Sequence, residues 1–396
     1  MEKPKIRFLK NKHSWVRNTF EEIAKRRTKS SDNPDLPRIE YQDIVSGEGR
    51  LNKDLNKNTD FRKGIVFETN DILYGKLRPY LKNWLHPNFN GIALGDFWVL
   101  QARNCDSKFL FSLVQSPKFQ RVANDTSGTK MPRSDWKTVS QTEFSIPTSN
   151  EEQSAIGSLF RTLDDLLASY KDNLANYQSL KATMLSKMFP KAGQTVPEIR
   201  LDGFEGEWEI NKLNKYLTVS KKKNTKKQFG KEDVLSVSGE VGIVNQIQFQ
   251  GRSFAGVSVE MYSIVETGNI VYTKSPLKAN PYGIIKTNYG IPGIVSTLYA
   301  VYLPNENLFP GFVERYFEND LRLNSYLKPL VNKGAKNDMK VSDENALLGN
   351  VIFPKLEEQI AISDYFINLD RFIQSHKDKI SQLETLKKKL LQDMFI

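Results

Sequence analysis

Two ten-residue strings limit what this chain is able to fold into. Residues 151–160 read Glu-Glu-Gln-Ser-Ala-Ile-Gly-Ser-Leu-Phe, and residues 357–366 read Glu-Glu-Gln-Ile-Ala-Ile-Ser-Asp-Tyr-Phe. Laid over each other without a gap, 151–189 and 357–395 are identical at 16 of 39 positions, a constant step of 206 residues. Both copies end on Met-Phe, at Met188-Phe189 and Met394-Phe395. Two copies are too few for a solenoid, which needs about three or more. The repeat instead implies a duplicated chain with internal two-fold pseudo-symmetry.

The duplication reaches beyond these strings. Pro4-Lys-Ile-Arg-Phe8 matches Pro197-Glu-Ile-Arg-Leu201, and Trp15 matches Trp208. Asp71-Ile-Leu-Tyr74 matches Asn269-Ile-Val-Tyr272, and Ser127-Gly-Thr-Lys130 resembles Lys333-Gly-Ala-Lys336. The pieces keep their order, so the chain reads as globular, helical, globular, helical. The expected divisions are 1–145, 146–190, 191–350 and 351–396.

The helical segments carry a heptad pattern. Ile156, Phe160, Leu163, Leu167, Tyr170, Leu174, Tyr177, Met184 and Met188 follow alternating steps of four and three. Ile362, Phe366, Leu369, Ile373, Ile380, Leu383, Leu390 and Met394 repeat the phase. Lys181, His376 and Lys387 interrupt it. Such an apolar seam calls for a coiled-coil partner, and each copy is the nearest cover for the other. Two equivalent helices related by a two-fold axis pack antiparallel. Each predicted helix is about 50 Å long. Ordinary core packing within one globule is the plainer alternative. Ser149 and Glu152 have the spacing of a capping box, while Pro190, Gly193 and Pro197 stop the first helix.

The globular segments show strand-and-turn grammar: Gly64-Ile-Val-Phe67, Phe97-Trp-Val-Leu100, Asn269-Ile-Val-Tyr272 and Tyr299-Ala-Val-Tyr-Leu303, broken by Gly, Pro and Asn. Stretches 107–122 and 310–328 have the pattern of amphipathic helices. The expected fold class is therefore α+β, with two mixed, mainly β globular domains separated by two long antiparallel coiled-coil helices, in a pseudo-two-fold symmetric arrangement.

With 57 Lys+Arg against 46 Asp+Glu, the net charge is +11 and the pI about 9.3. That balance attracts polyanions, nucleic acid above all, though many soluble proteins share it. No run of about 18 apolar residues is present, which excludes a helical membrane span. The stretch Met1–Phe8 lacks the apolar core of a signal peptide. A single cysteine, Cys105, leaves no intramolecular disulfide or multi-cysteine zinc site and reads as a small buried side chain. The expectation is a cytoplasmic protein.

Catalytic motifs are missing. His13, His86 and His376 are far apart and form no metal-ligand spacing. There is no Walker A string, and no Gly-rich dinucleotide loop follows a strand. Asn280-Pro-Tyr282 and the Asp35/Glu40 pair are only fragments of methyltransferase and nuclease patterns. No residue supports an enzyme.

What repeats instead is basic loop chemistry. Lys76 and Arg78 follow one strand; Lys274 and Lys278 follow its counterpart. Lys130 and Arg133 have counterparts in Lys333, Lys336 and Lys340. Lysines and arginines on such loops reach phosphates, and arginine reads base edges, although a single basic loop is usually only solvated. Lys221–Lys227, five lysines in seven residues, is either a phosphate contact or a solvated segment.

These residues resemble a known family, the specificity subunit of Type I restriction-modification systems. The resemblance rests on Pro147…Glu151-Glu-Gln153…Leu163-Asp164…Met188-Phe189, its repeat Pro354…Glu357-Glu-Gln359…Leu369-Asp370…Met394-Phe395, and the linker Val196-Pro-Glu-Ile-Arg-Leu-Asp-Gly-Phe-Glu-Gly-Glu-Trp208. The segment Lys3–Phe8 is a looser copy of that linker. The resemblance implies two target-recognition domains that read the halves of a bipartite, asymmetric double-stranded DNA site. It implies helices that space the halves and dock two methyltransferase subunits, with motor-nuclease subunits joining them. Leu159, Leu166, Tyr365 and Phe372, which flank the seam, are the docking candidates. S-adenosylmethionine, ATP and Mg²⁺ would belong to the partners, this chain holding no cofactor and performing no catalysis. The competing reading is a coiled-coil structural adaptor whose globular modules bind proteins. Salt-sensitive binding to duplex DNA separates the two.

Overall fold

The computed structural model describes residues 4–8, 14–52, 62–125, 130–277, 279–333 and 339–395; the side chains of 332, 333, 339 and 340 lie outside that description. The chain divides into two compact units, one made of 1–174 with 375–396, the other of 175–374. Two long helices, Asn150–Lys187 and Leu356–Met394, each contribute to both units. The mixed α+β class read from the sequence is what the chain adopts.

In the first unit, Trp15–Thr19 pairs antiparallel with Glu143–Pro147, just before the first long helix. A four-stranded sheet runs Ala24–Arg26, Phe97–Ala102, Ile72–Gly75, Trp84–Leu85. A second one runs Ser30–Ser31, Gly64–Phe67, Gly91–Ala93, Arg38–Ile39. The helices Ser107–Gln115 and Pro117–Ala123 begin at the side-chain caps of Asp106 and Ser116, which accept the amides of Phe109 and Phe119. They bury Phe109, Leu110, Leu113, Val114 and Phe119 against the sheet and the long helices.

The second unit repeats this plan. Glu209–Lys212 pairs with Asn350–Phe353, again just before a long helix. Its four-stranded sheet runs Leu217–Val219, Tyr299–Pro304, Ile270–Thr273, Ile285–Thr287, the same order of matched strands. Helices Pro310–Phe317 and Asp320–Leu327 follow, the latter capped by Asn319. The turn before the central strand is built alike: Asp71 accepts the amide of Glu68 at 2.7 Å, and Asn269 accepts that of Glu266 at 2.9 Å.

The repeated Glu-Glu-Gln has a structural reason. In the first unit the buried Glu152 carboxylate takes two bonds from Arg7, each 2.7 Å, and one from the Trp15 indole at 3.2 Å. In the second, Glu358 takes Arg200 at 2.8 and 2.7 Å and Trp208 at 3.3 Å. Gln153 accepts the amide of Asp106 and donates to the carbonyl of Pro147, both at 2.8 Å. Gln359 accepts from Phe309 and donates to Pro354, both at 2.9 Å. Each Glu-Gln pair thus ties a long helix to the chain entry and to the amphipathic helix of its own unit. A buried carboxylate is tolerated only with such partners. The expected capping box is therefore only half formed: Ser149 accepts the amide of Glu152 at 3.3 Å, but the Glu152 side chain is engaged by Arg7 and Trp15.

Within each unit the long helices run antiparallel. In the first, Phe160 meets Phe395 and Tyr170 meets His376, with ring centroids 5.7 and 5.3 Å apart. In the second, Phe189 meets Phe366 at 6.2 Å and Tyr177 stacks on Phe372 at 5.8 Å. Seam residues Ile156, Phe160, Leu163, Leu167, Ile362, Phe366, Leu369 and Ile373 are buried. Cys105 is half-buried beside the first core, and burial pushes its thiol up to about 12. Among the described residues no helix is long and apolar enough to cross a membrane.

Candidate nucleic-acid interface

The first unit gathers Lys76, Arg78, Lys130 and Arg133 at one edge. The strand Ile72–Gly75 delivers the chain into Lys76–Arg78, which pairs with Pro132–Ser134. The amide of Arg78 donates to Pro132 at 2.7 Å, and that of Ser134 to Lys76 at 2.8 Å. Leu77 and Arg133 form an antiparallel bridge. One aspartate organises the cations: Asp96 lies 2.9 Å from the Arg133 guanidinium and 3.7 Å from the Lys76 ammonium. The Tyr41 hydroxyl donates to the carbonyl of Asp96 at 2.5 Å and accepts the amide of Leu77 at 3.2 Å. Burial pushes that hydroxyl up to about 12, so it stays protonated and keeps its bond.

Arg78 adopts a left-handed backbone, φ 49°, directly before the turn Pro79–Leu81. The turn holds Tyr80 and Leu81 out to solvent, and Met131 is exposed on the paired segment. A projecting aromatic ring among cations is a surface suited to bases and phosphates together. The sequence reading did not select Tyr41, Tyr80, Asp96 or Met131. Tyr80 carried a usable signal, an aromatic two residues beyond Arg78. Asp96 carried none, since only the fold brings it to Lys76.

The second unit uses the same frame. The amide of Lys274 donates to Leu298 at 3.0 Å, as that of Lys76 does to Asp96 at 2.9 Å. The Lys274 ammonium is 2.7 Å from Asp343, whose carbonyl accepts the Tyr302 hydroxyl at 2.9 Å. The counter-charge thus comes from a different segment. Lys333 and Lys340 lie on a two-stranded hairpin, Asn332–Lys333 with Met339–Lys340, that precedes Asp343. Lys278 and Lys336 lie outside the described residues, as does 126–129 in the first unit.

Of the docking candidates, Leu166 and Phe372 are exposed on the long helices. Leu159 and Tyr365 are partly buried, each packed against the core of its own unit. No cluster of three metal-binding side chains occurs among the described residues.

No protein-family model matches the chain. Over 191 residues it is 25% identical to the specificity subunit of the Type I restriction enzyme EcoDI from Escherichia coli. That match takes in 46% of this chain and 42% of the relative, so the chain aligns with less than half the relative's length. The crystal structure of a Type I restriction-modification system S subunit from M. genitalium superposes with a TM-score of 0.60 at 15% identity, over 100% of this chain and 99% of that one. The latter likeness is one of fold.

Proposed function

We infer that this chain, related to the specificity subunits of Type I restriction-modification systems, recognises a bipartite, asymmetric duplex DNA site without catalysing a reaction itself. One observation carries the reading. Matched central strands, Ile72–Gly75 and Ile270–Thr273, each end in a loop whose first residue is a lysine paired to an aspartate. Conserved scaffolding with divergent loop chemistry is what two readers of different half-sites require. Arg78, Lys130, Arg133 and the exposed Tyr80 serve one half; Lys274 and the hairpin carrying Lys333 and Lys340 serve the other, together with Lys278 and Lys336. Phosphate contacts set the register, and base edges supply the choice.

In this reading the long helices set the half-site spacing and present Leu166 and Phe372, with Leu159 and Tyr365 beside them, to two methyltransferase subunits. Motor-nuclease subunits complete the assembly. S-adenosylmethionine, ATP and Mg²⁺ are held by those partners.

The test is to co-express the chain with a cognate methyltransferase subunit and map methylated adenines in host DNA by long-read sequencing. The expected result is one asymmetric motif of two short parts with a fixed gap. Robust methylation of an unsplit motif overturns the two-reader reading. No methylation from an intact complex favours the adaptor.

A further inference from the structure

The lysine run of the second unit is a built loop, where the sequence left a phosphate contact and a solvated segment equally open. Its anchor is Asn224, almost fully buried inside the run. The Asn224 amide group donates to the carbonyls of Phe229 at 2.8 Å and Val259 at 3.3 Å, and its side-chain oxygen accepts the amide of Phe229 at 3.0 Å. Its backbone amide donates to Tyr262 at 3.0 Å, and its carbonyl accepts from Lys227 at 2.9 Å. Upstream, the carbonyl of Lys222 accepts the amide of Ile264 at 3.1 Å, and the Lys223 ammonium donates to the Ser263 hydroxyl at 2.8 Å. The ordering entropy of the loop is therefore already spent in the free protein.

The charge on this frame is unbalanced. Lys222 pairs with Glu266 and Lys227 with Glu260, each at 3.0 Å and each between exposed groups. Such pairs are weak and exchange readily. Lys221 and Lys226 are exposed with no acidic partner among the described residues. Lys227 holds φ at 56°, a left-handed position where glycine or asparagine costs less. A cavity of about 590 Å³ opens beside the loop, lined by Lys222, Lys223, Lys226, Phe229, Ile264 and Glu266 among others. The first unit keeps the backbone pattern, with Lys29 accepting the amide of Val66 at 2.9 Å. There, however, Arg27 is held by Glu68 at 2.7 Å and Asp71 at 2.6 Å.

We propose that Lys221–Lys227 is a preformed clamp for the phosphodiester backbone of duplex DNA, so that the second unit carries the larger share of sequence-independent grip. This rests on the proposed function and deepens it. The clamp is seated on Tyr262–Glu266, the segment that precedes strand Ile270–Thr273, while Lys274 follows that strand's end. Grip and base reading are therefore separable by mutation.

The experiment measures duplex affinity of the full chain in complex with its methyltransferase subunits across 50–200 mM salt. It uses one duplex with the mapped site and one without. Each phosphate contact contributes about 0.9 to the slope of log K against log salt. Lys221→Gln/Lys222→Gln/Lys226→Gln is expected to flatten the slope by about 2 to 3 and weaken both duplexes alike, leaving their ratio unchanged. The control, Lys212→Gln/Lys328→Gln/Lys355→Gln, removes three exposed lysines elsewhere on the same unit. The reverse variant Glu260→Gln/Glu266→Gln is expected to steepen the slope. Equal flattening by loop and control variants overturns the clamp, as does a loss confined to the duplex carrying the site. A wild-type complex that binds no duplex overturns the proposed function itself.

Discussion

Lys387 reaches Asp164 at 2.5 Å across the paired long helices of the first unit. In the second unit Lys181 reaches Asp370 at 2.7 Å. Both lysines break the heptad pattern, and both aspartates belong to the repeated Leu-Asp, all four related by the same 206-residue step. The two lysines in the seam are therefore the cationic ends of a duplicated ion pair, while His376, the third polar seam residue, packs on Tyr170. Such a pair favours one helix register, because a slip strands a partly buried charge. Each is tied further into its unit: Lys387 donates to Gln115 at 2.8 Å, Lys181 meets Glu318 at 2.6 Å, and Asp370 meets Arg315 at 2.7 Å.

Breaking one pair is expected to be costly. Burial holds the Asp164 carboxyl above the usual carboxylate range, against the pull of Lys387. Lys387→Ala leaves that group without its cation and should cost about 3 kcal/mol. Lys387→Met with Asp164→Leu should cost less than the sum of the single changes, with a coupling of about 1 to 3 kcal/mol. Urea denaturation of wild type, Lys387→Met, Asp164→Leu and the double variant checks this; additive costs would show that the contact does not hold the register.

Gly157 sets how closely the first long helix approaches Ser107–Gln115. A Cβ there would stand 2.5 Å from the Phe109 nitrogen and 2.6 Å from Lys108. The position 206 residues on is Ser363, fully buried, so the second unit accepts a larger group at the same crossing. Gly157→Ala should destabilise by about 2 kcal/mol although alanine gains about 1 kcal/mol of helix propensity. A melting temperature at or above wild type would contradict this close approach.

The long helices, the duplication and the basic character of the loops were legible because their signals are local: periodicity, repeated strings, clustered lysines. The partners of Glu152 were not, because Arg7 and Trp15 lie 145 and 137 residues away and only the fold brings them in. The sequence recorded Glu-Glu-Gln as a motif without a reason; the reason is a buried carboxylate that needs an arginine and an indole. It likewise marked Lys181 and Lys387 as defects, since a periodicity count scores polarity but not who faces whom. Lys76/Arg78 and Lys130/Arg133 were read as two separate basic loops; their pairing, and the place of Asp96 between Lys76 and Arg133, were not legible, because only the fold brings those segments together.

Asp96 is expected to restrain the loop it neutralises. Asp96→Asn releases Arg133 and Lys76 from their counter-charge, so both turn fully toward a polyanion. Non-specific duplex affinity of the complex should rise several-fold at 100 mM salt, while discrimination between cognate and scrambled duplexes falls. Asp343→Asn should do the same through Lys274 in the second unit. Competition binding measures both quantities, and a variant with unchanged discrimination would remove these aspartates from the recognition surface.

His86 gives the first unit a pH dependence. Its ring stacks on Phe111 at 5.4 Å, and its Nε2 is buried without a hydrogen-bond partner among the described residues. Burial drives the imidazole down to about 4 from 6.5, with Arg161 and Lys108 acting in the same sense and Asn70 and Asp106 against it. The fold thus favours the neutral ring. Its contribution is complete above pH 6.5, where the unfolded chain is also neutral, and is lost as pH falls toward 4. The gap corresponds to about 3 kcal/mol, most of it already lost at pH 4.5. His86→Phe keeps the stack and removes the titration. Wild type should therefore lose about 2 to 3 kcal/mol more than His86→Phe between pH 7 and pH 4.5 in urea denaturation. Equal losses in the two proteins would mean that His86 charges freely in the folded state.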